Sequence, residues 1–69
     1  MSLPYDMIET MVTREVRRLN KRVRDAVKEI SEAHKNNLTE LEVIRRRECI
    51  KFCEETIQTH RDNHPELFV

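Results

Sequence analysis

Apolar residues recur in the first half of the chain at steps of four, three, four and three: Val12, Val16, Leu19, Val23, Ala26, Ile30 and Ala33. Charged residues fill nearly every place between them. On an α-helix these positions form one narrow stripe, and a 3.5-residue repeat keeps such a stripe facing the same partner helix over many turns. The spacing predicts a long helix with a coiled-coil seam. In the second half Val43, Ile50, Cys53 and Ile57 fall within about 80° of one another on a wheel of 100° per residue, whereas Leu41 and Phe52 lie on another side and Ile44 on a third. A helix that is apolar on more than one side touches more than one neighbour.

Local signals divide these two patterns. Pro4 suits a first helical turn, and Asp6 followed by Glu9 has the spacing of a capping box. No breaker interrupts the run until Asn36-Asn37, where Asn supplies the left-handed conformation that ends helices. Thr39 and Glu42 form a second capping-box pattern, with Leu38 and Val43 placed as a hydrophobic staple. His64 precedes Pro65 and so leaves the helical region. The expected domain is one helical hairpin, 1–69: a helix over 4–36, a hinge at 37–39, a helix over 40–63 and a tail over 64–69. The first helix then overhangs the second, exposing Ile8, Met11 and Val12 to the apolar tail or to a neighbouring chain. Leu67-Phe68-Val69 reads as a tail packed on its own bundle, with fraying and docking into a partner's groove as the alternatives.

Composition supports the all-α reading. The chain has 69 residues, no Gly and no Trp, with 38% hydrophobic and 38% charged residues. Without Gly, the positive-φ turns of a small β domain are hard to make. So short a chain needs a supplement to its core, and the seam points to oligomerisation, most simply a homodimeric four-helix bundle or coiled coil. Ala26 and Ala33, alternating with Leu19 and Ile30, would let another helix approach closely. The inferred architecture is similar to that of the small plasmid-copy-control RNA-binding hairpins, which dimerise as four-helix bundles. No sequence motif is shared with them, so the likeness is one of fold and assigns no function.

Thirteen basic and thirteen acidic residues cancel, so net charge favours neither nucleic acid nor a membrane. No apolar run approaches the roughly 18 residues of a membrane span, and the expected location is cytoplasmic. Cys49 and Cys53 are read as free thiols, because residues four apart on a helix hold their Cβ atoms about 5–6 Å apart.

Three constellations bear on chemistry. Cys49, Cys53, His60 and His64 share a helical face and are all zinc-ligand types. Cys53 and His60 are nevertheless roughly 10 Å apart along the axis, so an ion would need Cys49 and Cys53 completed by His34 or by a second subunit. The reading adopted is no metal and no cofactor. Glu40, Glu42, Glu54 and Glu55 read as solvated charges rather than an acid–base pair, and no small-molecule substrate or enzymatic activity is expected. The third constellation is a basic stripe on the first helix: Arg14, Arg17, Arg18, Lys21, Arg24 and Lys28 lie away from the seam, where they can meet phosphates or acidic neighbours. Arg46 points toward the apolar face and lies level with Glu29 or Glu32, which predicts an ion pair. The function expected is a non-enzymatic oligomerisation and protein-interaction module of regulatory or adaptor type. Its partners are a second copy and another protein; the alternative is a nucleic-acid-binding dimer that uses the basic stripe.

Overall fold

The structure, a computed structural model, describes residues 4–68; Met1, Ser2, Leu3 and the last tail residue, Val69, lie outside the described residues. Helix α1 spans Tyr5–Ser31, α2 spans Glu40–Asn63, and a short 3₁₀ turn spans Pro65–Phe68. The two long helices pack as an antiparallel hairpin, since Glu15 meets His60 while the later Glu29 meets the earlier Arg46. The rod measures 49 × 24 × 15 Å along its principal axes.

Helix α1 begins without the expected capping box. Pro4 is the N-cap, with no side-chain cap, and its carbonyl accepts the Met7 and Ile8 N–H groups at 3.0 and 3.2 Å. Because Pro4 starts the helix, Asp6 already sits inside the first turn, where its carboxylate faces the positive end of the macrodipole.

The far end of α1 corrects the sequence reading. Regular α-helix stops at Ser31 instead of running to residue 36. Ser31 Oγ donates to the Lys28 carbonyl at 2.8 Å, the same oxygen that accepts the Glu32 N–H at 3.0 Å. Ala33 N–H then bonds the Ile30 carbonyl at 3.1 Å, a three-residue step that tightens the ladder. Turns carry the chain on to Asn37, whose φ of 54° is left-handed. There Asn37 N–H reaches the His34 carbonyl at 3.4 Å and Leu38 N–H reaches the Ala33 carbonyl at 3.0 Å, the paired bonds of a Schellman stop. The Asn pair therefore stops the chain where expected, while a serine about one and a half turns upstream has already loosened the helix.

Helix α2 restarts on Thr39, whose hydroxyl accepts the Glu42 N–H at 3.2 Å. The reciprocal half of the box is replaced: the Glu42 carboxylate lies 4.0 Å from Arg46 Nη1, drawn along the helix. Leu38 and Val43, both half-buried, line one small concavity as a staple would place them. Helix α2 ends at His64, as its position before Pro65 requires.

Few of the described residues are buried: Val12, Leu19 and Ala26 from α1, and Cys53 and Ile57 from α2, with Cys53 the most completely enclosed. Leu19, Cys53 and Ile57 form the centre, with Val16, Val23 and Cys49 packed against them. The tail closes one end. Leu67 and Phe68 share a concavity with Val12 and Val16, and the Arg61 guanidinium stands 5.5 Å from the Phe68 ring centre. Tyr5 Oη donates to Glu66 at 3.2 Å. Of the two coverings expected for the α1 overhang, the tail supplies one, although Met11 remains 57% exposed.

Candidate functional site

The apolar seam of α1 divides into two rows once it meets α2. Val12, Leu19 and Ala26, spaced by seven, are buried: Leu19 packs with Cys53 and Ile57, Ala26 lies beside Arg46 and Cys49, and Val12 lies where the tail folds over α1. Val16, Val23 and Ile30, also spaced by seven, are only half-buried and look out of the hairpin on one side. Ala33, beyond the end of regular helix, is half-buried as well. On α2, Val43, Ile50 and Ile57 repeat at the same interval, and of these only Ile57 is fully buried.

Helical geometry puts these two half-open rows on the same face. The opposite face is polar: Arg22, Asp25 and Glu29 of α1 share a groove there with Arg45, Arg46 and Cys49 of α2. Further along that face Glu15 joins Phe52, Thr56, Thr59 and His60. Val16, Val23 and Ile30 lie on the other flank of α1, and Val43, Ile50 and Ile57 on the other flank of α2, so both rows border the second groove. The tail marks that groove at one end, since Leu67 and Phe68 lie against Val16. Val27, 51% exposed, belongs to the same flank. The seven-residue spacing of each row was the signal in the sequence; what it lacked was which row the second helix would claim.

The polar face holds the specific electrostatic contacts. Arg46 Nε bonds Glu29, the pairing predicted from the hairpin register, and Arg46 Nη1 donates to the Glu42 carbonyl at 3.2 Å. His60 Nε2 lies 2.8 Å from Glu15 Oε2, and His64 Nδ1 lies 3.8 Å from Glu66. Both histidines that share the face of Cys49 and Cys53 thus lie beside a carboxylate. Cys49 and Cys53 are both free thiols, and Cys53 is 1% exposed. Burial, and then the hydrogen bond with Cys49, push the Cys53 thiol above its ordinary value, against a smaller opposing effect of Arg22 and Arg18. Among the described residues, no three His, Cys, Asp or Glu side chains converge as a metal would require.

The basic stripe lies on the back of α1. Arg14, Arg17, Arg18, Lys21, Arg24 and Lys28 are all exposed. Arg18 is 3.8 Å from Glu15; the other five form no ion pair among the described residues. Arg17, Lys21 and Arg24 border a shallow depression that reaches Val23, so the stripe and the open apolar row adjoin. Among the described residues no helix is long and apolar enough to cross a membrane. Compared with family models, curated proteins and solved structures, the chain matches none of them.

Proposed function

We propose that this chain is a non-enzymatic association module, a small regulatory or adaptor protein that assembles with a second copy of itself and presents its outer surfaces to another protein. The observation that carries this reading is the half-open apolar face. Val16, Val23, Ile30, Val43 and Ile50 are each only partly covered, while just five of the described residues are buried. A hairpin of this size gains most by covering that face, because burial contributes about 25 cal/mol per Å². The free thiols of Cys49 and Cys53 suit a reducing, cytoplasmic setting. Light scattering across micromolar concentrations tests the reading. A dimer or higher oligomer is expected, and a stable, monodisperse monomer would refute it.

A second reading rests on a separate observation, the five cations of the α1 stripe that form no ion pair among the described residues. Five such cations along one helix back offer phosphate contacts that need no base recognition. The variant Arg17→Glu, Lys21→Glu, Arg24→Glu keeps the fold under either reading, since all three side chains are exposed. If the stripe binds nucleic acid, the variant loses affinity for duplex DNA or structured RNA and flattens the salt dependence by roughly one log-log unit per contact. Absence of binding by the native chain at low salt rejects this second reading.

A further inference from the structure

A row of alternating charge runs beside the open apolar row of α2. Glu40, Arg47, Glu54 and Arg61 are spaced by seven, all exposed, in the order acid, base, acid, base. Three of them are the i+4 neighbours of Val43, Ile50 and Ile57, so the charged row borders the apolar one along its outer edge. Glu40, Arg47 and Glu54 take part in no ion pair among the described residues, and Arg61 lies over the Phe68 ring.

The row is complementary to itself in one arrangement. We infer that a second copy docks on the tail-side face with its α2 antiparallel to this one, about a twofold axis passing between Ile50 and Lys51. There Glu40 meets Arg61 of the partner subunit and Arg47 meets Glu54 of the partner subunit, and the symmetry repeats both pairs. Shifting the register by one heptad sets Glu40 against the partner's Glu54 and Arg47 against the partner's Arg47. Parallel pairing sets every charge against its own copy. The apolar row accepts the same axis, which brings Val43 to Ile57 of the partner subunit and Ile50 to the partner's Ile50 within one residue's rise.

Helix α1 accepts it too. Given that Arg46 lies at Glu29 and His60 at Glu15, the axis level falls near Arg24 and Asp25 of α1. At that level Val23 comes opposite Val27 of the partner subunit, covering a valine that the single hairpin leaves half in water. The two hinges then lie at opposite ends of the bundle. Rim charges of this kind set register and orientation more than affinity.

This inference rests on the self-association proposed above, and its test separates the two. Sedimentation equilibrium at about 0.1 M salt compares the native chain with Arg47→Glu, Glu54→Arg and the double variant carrying both. Each single variant turns two attractions into repulsions and is expected to weaken the dimer on the order of tenfold. The double variant restores opposite charges across the axis and is expected to return to within about threefold of the native constant. Helical circular dichroism should be the same in all four chains, as the changes are at exposed positions. A native monomer overturns both the association reading and this interface. A native dimer whose constant is unmoved by the single changes, or whose double variant is weaker than either single, overturns the interface and leaves association standing.

Discussion

Replacing Leu19 with Ala tests where the stability of the hairpin resides. Leu19 is 4% exposed, meets Cys53 and Ile57, and has Val16, Val23 and Cys49 around it. Truncating a buried leucine costs about 2–5 kcal/mol, the spread depending on how far the surroundings close over the vacancy. Here an open groove runs along each side of the Leu19 row, so neighbours can shift inward and the loss should fall at about 2–3 kcal/mol. At about 0.05–0.15 kcal/mol per residue, a chain of 69 residues has a total stability of about 3–10 kcal/mol. The single change therefore removes a large share of it. With a urea slope of about 1 kcal/mol per molar for so small a chain, the midpoint should drop by about 2–3 M. Unfolding followed by circular dichroism at several protein concentrations provides the assay, because assembly raises the apparent midpoint by mass action. Leu41→Ala is the control: Leu41 is 56% exposed, and its loss should change stability by less than about 0.5 kcal/mol. If Leu19→Ala behaves like that control, the assignment of the core is wrong.

The remaining predictions concern the hinge and the thiols. Asn37→Val should cost about 1–2 kcal/mol, because a β-branched residue resists the φ of 54° that the reversal needs, whereas Asn37→Gly should be neutral or slightly stabilising in the same urea assay. In the native protein, iodoacetamide should label the half-buried Cys49 well before Cys53, and Cys53 only when the hairpin opens; equal rates would contradict its burial. Because folding raises the Cys53 thiol above its ordinary value of 9.0, its contribution to stability is complete below that pH and lost as pH rises through the folded value. Stability measured between pH 8 and pH 10 should therefore fall, and Cys53→Ala should lessen that part of the slope.

Spacing alone carried much of this fold. The repeat from Val12 to Ile30 places α1, Thr39 places the start of α2, and the register of the hairpin places Arg46 beside Glu29. Three features escaped because each depends on a competition that periodicity does not weigh. Ser31 draws its own hydroxyl to the Lys28 carbonyl and loosens a ladder that reads as unbroken. Glu42 has two possible targets, the Thr39 backbone and the Arg46 guanidinium, and lies near the latter. Asp6 and Glu9 have capping-box spacing, yet Pro4 starts the helix first. The division of the α1 seam into a covered and an open row was equally hidden, since both rows are valine, leucine, isoleucine or alanine at identical intervals. Only the direction of approach of α2 separates them.

The tail has a mechanical consequence. With Tyr5 Oη at Glu66 and Phe68 beneath Arg61, the two ends of the described chain are fastened together at one pole of a rod 49 Å long, and the Asn37 reversal forms the other pole. A polypeptide attached before Pro4 and one attached after Phe68 leave from the same point, so cargo joined to either end is held side by side. In the antiparallel pairing inferred above, each copy sends its attachments out at the opposite pole. The assembly then acts as a rigid strut: Tyr5 lies about 20 residues from the axis level near Arg24 and Asp25, roughly 29 Å at 1.5 Å per residue, so the two Tyr5 poles stand roughly 58 Å apart.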